Sequence, residues 1–138
     1  MSLNRVSLIG HVGNAPRFYQ TDEGDFYACF SLATQQSWKD STGQRQTRTQ
    51  WHPVVVFSQG LVEITRRHVG KGAYVFVEGK LNHRKTLTDD GREQIVTEVL
   101  LKDYHGMIRV LNKGKEASAV SNIQHDDGRF NQNTVEVV

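Results

Sequence analysis

The chain has 138 residues, enough for one ordinary domain with a hydrophobic core. With 37% hydrophobic and 23% charged residues it has no apolar run approaching the ~20 residues that span a bilayer, which excludes a membrane-spanning class. The net charge of +2 is small but uneven, because residues 1–112 carry 14 Lys and Arg against 11 Asp and Glu, and residues 113–138 carry 3 against 4. The composition therefore permits nucleic acid as a ligand without requiring it.

Alternating apolar residues predict the first strands of a sheet. The first strand covers 5–12, and Pro16 closes it because proline lacks the backbone N–H of a strand ladder. The second strand covers 26–33 and follows a turn rich in Asp and Gly. We predict a polar connector over 40–49 and then a third strand over 49–57, which is dense in valine.

The period of the pattern changes after the third strand. Apolar residues in 61–69 recur at helical spacing, and the Gly-Lys-Gly sequence at 70–72 ends the predicted helix. Strands follow over 73–81 and 94–101, joined by a hairpin with an Asp-Asp-Gly turn at 89–91. Three strands, one short helix and two further strands are the order of an all-β, five-stranded OB-fold barrel.

Two regions of different character are therefore expected. Residues 1–111 form the barrel domain, whereas residues 112–138 lack periodicity and are predicted to be a flexible C-terminal tail. Cys29 is the only cysteine, so no intramolecular disulfide can form and a reducing, cytosol-like compartment is expected. The N-terminus shows neither a signal nor a transit pattern.

The third strand carries the strongest indication of a ligand. Because side chains alternate along a strand, one face presents Trp51, Pro53, Val55 and Phe57 and the other presents His52, Val54 and Val56. Trp38 lies upstream, and three basic residues separate the tryptophans: Lys39, Arg45 and Arg48. Aromatic rings between cationic side chains suit single-stranded nucleic acid, whose bases stack and whose phosphates attract cations. The alternative is that the rings are only core.

The sequence resembles the single-stranded DNA-binding proteins of bacteria and mitochondria. Five segments carry the resemblance, in family order: 3–13, 30–40, 51–57, 70–72 and 74–81. Together they cover residues 3 to about 110 of the chain.

This resemblance implies roles for particular residues. Trp38, Trp51 and Phe57 match positions whose rings stack on bases. Basic positions along the DNA path are matched by Arg5, Lys71, Arg84 and Lys85. His52 matches a position at the subunit interface, and the implied assembly is a homotetramer. The implied function is sequence-independent binding that coats and protects unpaired DNA during replication, recombination and repair.

The chain also departs from the family pattern at three places. Thr86 stands where many members have a further stacking tryptophan, and Pro53 replaces a common basic residue. The acidic tail with a Pro-Phe tip, which recruits repair enzymes in most bacterial members, is replaced by the ending Val-Glu-Val-Val at 135–138. This ending weighs against recruitment of repair or replication proteins. It also leaves a mitochondrial matrix or mobile-element origin as the alternative to a bacterial cytoplasm.

No catalytic constellation competes with the binding interpretation. The six histidines lack metal-ligand spacing, one cysteine cannot build a structural zinc site, and no phosphate-binding loop motif occurs. We therefore expect no enzyme activity, no metal and no cofactor. The alternative function is an OB-fold module specialised for RNA or for partners in replication restart.

Overall fold

The computed structural model describes residues 1–114 and 123–125. The described residues contain eight strands and one α-helix. In chain order they are β1 (Val6–Val12), β2 (Arg17–Gln20), β3 (Phe26–Lys39), β4 (Arg45–Val56), α1 (Gln59–His68), β5 (Tyr74–Leu87), β6 (Glu93–Leu101), β7 (Met107–Asn112) and β8 (Ile123–His125), with a 3₁₀ turn at Asp103–His105. In that part of the chain no helix is long and apolar enough to cross a membrane.

Five of the strands close into a barrel. β1 pairs with β5, β5 with β6, β6 with β4 in parallel, and β4 with β3. Closure comes from β3 returning to β1, where His11 and Val12 pair with Ala33 and Leu32. Glycine is needed beside this seam, because a Cβ at Gly10 would lie 2.0 Å from the carbonyl oxygen of Ala33. The predicted five-stranded OB barrel with one short helix is confirmed.

The barrel interior is filled by aliphatic side chains from all five strands. Val54 and Val56 point inward, as the alternation of the third strand predicts, and are at most 1% exposed. Val62 of α1 joins the same cluster, so the helix covers one end of the barrel. The fully buried members include Ala28, Leu32, Val56, Ala73, Val75, Val77 and Leu101. With the interior filled in this way, a ligand must bind on the outer surface.

The region predicted as a polar connector is instead part of a long hairpin. β3 and β4 remain paired as far as Lys39 and Arg45, so the connection shrinks to residues 40–44. Apart from Trp38, these strand ends are polar on both faces, which removes the alternation on which strand prediction depends. We call residues 34–50 the arm, since this two-stranded ribbon extends beyond the barrel.

The sequence did not predict three of the strands. β2 pairs with β3, β7 pairs with β5, and β8 lies parallel to β2 within the predicted tail. The two shortest of them have four and three residues, too few for a periodic pattern to stand out. The rest of the predicted flexible tail, 115–122 and 126–138, lies outside the described residues.

Candidate nucleic-acid interface

A cleft of about 770 Å³ lies on the outer face of the barrel. Its walls come from strands β2 to β6 and from the loops that follow β1 and α1. The lining side chains include Arg17, Tyr19, Cys29, Ser31, Trp51, Pro53, Lys71, Arg84, Val96 and Glu98. Three residues that are far apart in sequence and were predicted to contact DNA therefore meet here: Trp51, Lys71 and Arg84.

Trp51 presents the largest aromatic surface of the cleft. It lies in β4 opposite Ala33 and is 58% exposed. One side of the indole contacts Gly13, where an added Cβ would lie 2.8 Å from ring atom Cζ3. Gly13 is itself held in place, because its N–H donates to the Ser31 carbonyl at 2.9 Å. The ring is therefore backed by main chain and open to solvent, which suits it for stacking on a base.

The cationic side chains approach the cleft from different elements. Lys71 is exposed in the turn after α1, and this turn is tied to the end of β1 by a 2.9 Å hydrogen bond from the Gly72 N–H to the Val12 carbonyl. Gly72 has φ of +79°, a conformation that favours glycine. Arg17 is exposed at the start of β2. Two cations thus line the same cleft as Trp51, where their charge would attract an anion such as a phosphate.

Arg84 is held differently, by a buried carboxylate. Its Nε donates to Glu98 Oε1 at 2.9 Å, and the two side chains are 19% and 1% exposed. The same oxygen accepts a hydrogen bond from Asn82 Nδ2 at 3.2 Å. Burial raises the pKa of Glu98, while the positive charge of Arg84 and the hydrogen bonds oppose the rise. The cleft therefore contains a carboxylate as well as its cations.

Phe57 occupies the predicted face of the sheet but is almost completely covered. Only 6% of it is exposed, because its ring packs against Tyr27 at a centroid distance of 5.0 Å. Tyr27 in turn stacks on Tyr19, also at 5.0 Å, and Tyr19 lines the cleft. The three rings form a row in which Tyr19 stands nearest the cleft. In this arrangement Phe57 supports the cleft from behind rather than offering a free ring face.

Trp38 is exposed on the arm, away from the cleft lining, with 44% of its surface accessible. It pairs with Gln46, whereas Trp51 pairs with Ala33, so the two indoles project from opposite faces of the β3–β4 ribbon. The turn beyond Trp38 is organised by Asp40, whose Oδ1 accepts from the Thr42 N–H at 2.9 Å and from the Thr42 hydroxyl at 2.6 Å. These bonds and one from Gln46 lower the pKa of Asp40 to about 2.

The remaining predicted residues lie elsewhere. Arg5 forms an exposed ion pair with Glu78, 3.2 Å from Nε to Oε1, at the opposite end of β1 from Gly13 and so more than about 20 Å along the strand from Trp51. Lys85 is exposed and points to the other side of β5 from Arg84. His52, expected at a subunit interface, hydrogen-bonds through Nε2 to Thr34 Oγ1 at 2.8 Å.

Among the cleft residues that the sequence did not indicate are Arg17, Tyr19 and Glu98, whose charge or ring bears on ligand binding. Arg17 and Tyr19 alternate with Phe18, a signal that could have suggested a strand with one polar and aromatic face. Glu98 gave no signal, since nothing in its segment shows that this carboxylate is buried. Within the described residues no group of three or more His, Cys, Asp or Glu side chains could hold a metal ion.

Known proteins similar to this chain bind single-stranded DNA by name. Residues 3–107 match the model of the single-strand binding protein family. A single-stranded DNA-binding protein of Rickettsia prowazekii is 45% identical over 112 residues, which cover 80% of this chain and 74% of that protein. A single-stranded DNA-binding protein of Rhizobium meliloti is 36% identical over 129 residues, which cover 92% of this chain and 74% of that protein. A solved structure, the Plasmodium falciparum SSB complex with ssDNA, has a TM-score of 0.75 and 36% identity, covering 81% of this chain and 97% of that one.

Proposed function

Because this chain belongs to the single-strand binding protein family, we propose that it binds single-stranded DNA through the cleft around Trp51. The observation that carries the proposal is the half-exposed indole of Trp51, backed by Gly13, with Lys71 and Arg17 beside it. Binding is independent of sequence, since every base offers a π-face to an aromatic ring. The protein acts by coating unpaired strands, which protects them during replication, recombination and repair.

The binding energy comes from two sources. A base stacked on Trp51 contributes about 1–3 kcal/mol, and Tyr19 is placed to support a neighbouring base. Lys71 and Arg17 attract phosphates and release their counterions, so the affinity falls as salt rises. Trp38 on the arm and Arg5 at the far end of β1 extend the DNA path beyond the cleft. In a duplex the bases are paired and stacked on one another, so they cannot stack on Trp51 and this part of the binding energy is lost.

The alternative function, a module specialised for RNA or for replication-restart partners, is not favoured. The curated relatives carry the name single-stranded DNA-binding protein, and the similar solved structure is a complex with single-stranded DNA. We propose a cytoplasmic location with the nucleoid, which the bacterial relatives support. The mitochondrial matrix is the corresponding place in an organelle.

The decisive experiment compares three ligands at one salt concentration. Labelled oligo-dT, a matched RNA and a matched duplex are titrated with the protein and followed by fluorescence anisotropy. We expect the tightest binding to oligo-dT and much weaker binding to duplex. The titration with oligo-dT is then repeated at several salt concentrations, where log K should fall linearly with log salt, by about 0.7 per phosphate neutralised. Equal affinity for duplex, or no response to salt, contradicts the proposal.

The outer face of β1, β5 and β7 supports the proposed homotetramer. On the outer face of β1, β5 and β7 the apolar side chains Ile9, Tyr74 and Met107 are 50%, 37% and 37% exposed. Among the described residues, β1 pairs with β3 only at His11 and Val12, so one edge of its first half carries no strand. An exposed apolar face next to an open edge favours association with a second copy.

Sedimentation velocity tests the assembly. The wild-type chain at micromolar concentration should sediment as a tetramer. Ile9→Lys, which places a charge on the apolar face beside the open edge of β1, should shift it to smaller species, whereas Ile64→Lys on α1 serves as a control at an exposed apolar position. A monomeric wild-type protein would overturn this part of the proposal.

A further inference from the structure

The cleft contains a negative charge that DNA binding does not explain. Glu98 lies on β6 within the lining, its side chain is 1% exposed, and its Oε1 accepts hydrogen bonds from both Arg84 and Asn82. A buried carboxylate opposes the approach of phosphates and loses its own hydration, which makes it a costly feature of an anion-binding surface. A strand residue at this position could more simply have been neutral.

We infer that Glu98 is a positioning residue that holds the Arg84 guanidinium at the cleft wall and cancels its charge toward the DNA backbone. The inference rests on the proposed DNA path through this cleft. Coulomb attraction favours the carboxylate over a phosphate, since the 2.9 Å contact lies in a region shielded from water whereas a phosphate would lie in the solvent-filled cleft. Arg84 then lines the path without adding to phosphate neutralisation.

This arrangement shifts the balance between the two sources of binding energy. With Arg84 neutralised, the cleft depends on Lys71 and Arg17 for phosphate attraction and on Trp51 for stacking. Stacking requires unpaired bases, whereas phosphate attraction is shared with duplex DNA. Glu98 thereby lowers the salt dependence of binding and keeps the cleft selective for unpaired strands.

The salt dependence of oligo-dT binding tests this role. Glu98→Gln keeps an oxygen for Arg84 and Asn82 but removes the charge, so the slope of log K against log salt should become steeper by about 0.7 for each contacting subunit. Glu63→Gln is the matched control, since Glu63 also pairs with arginine, 2.7 Å from Arg67 Nε, but on α1 outside the cleft lining. Its slope should equal that of the wild type.

Two further variants keep the test decisive if Glu98→Gln does not fold. Glu98→Met is a second neutral side chain of similar length and should give the same steeper slope. Glu98→Asp retains the charge and should keep the wild-type slope even where affinity changes. A purely structural ion pair would leave all slopes alike, and that result overturns the inference.

The failure of the inference can be told apart from the failure of the proposed function. If Trp51→Ala and Lys71→Ala weaken oligo-dT binding while the neutral variants at position 98 keep the wild-type slope, only the role of Glu98 is overturned. If Trp51→Ala and Lys71→Ala bind as tightly as the wild type, the DNA path does not follow this cleft and both proposals fall.

Discussion

The two tryptophans of this protein are held in different ways. Trp51 stands on the barrel wall, where Gly13 backs its ring and where residues from several distant segments meet around it. Trp38 stands on the arm, where its surroundings come from the same hairpin and the turn is closed by side-chain bonds to Asp40. One ring belongs to a surface assembled by long-range contacts, and the other to a locally organised ribbon.

This difference indicates how the two regions contribute to binding. A ring fixed by the barrel loses little freedom when a base stacks on it, so most of the stacking energy appears as affinity. A ring on a two-stranded ribbon must be ordered as the strand arrives, which offsets part of its contribution. Variants in the two regions should therefore differ in stability, affinity and pH response.

The largest effect should be on stability, at the ion pair in the cleft. Arg84→Ala leaves the carboxylate of Glu98 buried without its cation, which we expect to lower the free energy of unfolding by about 3 kcal/mol. The matching change on the arm, Asp40→Ala, should cost less because Asp40 lies in a surface turn and is only partly buried. Urea denaturation measures both. A larger loss of stability in Asp40→Ala than in Arg84→Ala would contradict the proposed difference between the cleft and the arm.

Affinity should respond unequally to loss of the two rings. Trp51→Ala should weaken oligo-dT binding by about 1–3 kcal/mol, and Trp38→Ala by an amount near or below the lower end of that range. Anisotropy of a labelled oligonucleotide reports both without relying on the missing indole. Tyr104→Ala is a control for loss of an exposed ring outside the cleft lining. Equal losses of affinity in Trp51→Ala and Trp38→Ala would contradict the difference proposed between the barrel wall and the arm.

The support behind Trp51 can be tested without touching the ring. Gly13→Ala places a methyl group 2.8 Å from the indole, so the ring must move and binding should weaken by less than with Trp51→Ala. The tryptophan emission of the free protein should change as well. Gly60→Ala, where no atom lies within 4 Å of the added Cβ, should leave both affinity and emission unaltered.

The contributions of Glu98 in the cleft and of Asp40 on the arm to folding stability should change with pH in opposite directions. Burial raises the folded-state pKa of Glu98 above its usual 4.5, so its contribution to stability is largest at low pH and is lost as pH rises through the raised value. The pKa of Asp40 is lowered from 3.8 to about 2, so its contribution is present above 3.8 and is lost as pH falls through about 2.

Thermal unfolding across pH measures the effect at Glu98. Relative to the wild type, Glu98→Gln should gain in Tm as pH rises above 4.5 and should not gain below it. Carboxyl chemical shifts of Asp40 from NMR measure the effect on the arm, where titration should be centred near 2. A midpoint for Asp40 at its usual 3.8 would show that the turn does not hold its carboxylate.

The smallest effect is a gain at the tip of the β5–β6 hairpin. Thr86 lies on the same side of β5 as Arg84, and Leu87 lies on the opposite side and is 69% exposed. Thr86→Trp should tighten oligo-dT binding by less than the roughly 1–3 kcal/mol of an optimised stack, with the salt slope unchanged. Leu87→Trp is the matched control. Should only the control gain affinity, the DNA follows the other face of the hairpin.

Much of the fold was predictable because the barrel strands carry their own pattern. Alternating apolar residues marked the inward face of β4, and helical spacing marked α1 to within two residues of its start at Gln59. The arm was not recognised as paired strand, since all its residues except Trp38 are polar or glycine on both faces. β2 was missed because four residues are too few for a period to show.

Some features of the candidate site could likewise be predicted from the sequence, and others could not. Trp51 and Lys71 could be proposed from the sequence, because an aromatic side chain in a valine-rich strand and a lysine between glycines match known positions of the family. The burial of Phe57 could not, since Tyr27 and Tyr19 cover it from other strands. The pairing of Arg84 with Glu98 joins residues 14 positions apart across a hairpin.

The fold class, the family and the side chains able to stack and to attract phosphate could be identified from the amino-acid sequence, because these depend on local pattern and residue type. Which of these side chains share a surface depends on how the strands pack in the folded barrel. This packing brought Trp51, Lys71 and Arg84 to one cleft and left Arg5 at the far end of β1. It also decided which charges are already matched, since burial and neighbouring charges arise only when distant strands are packed together.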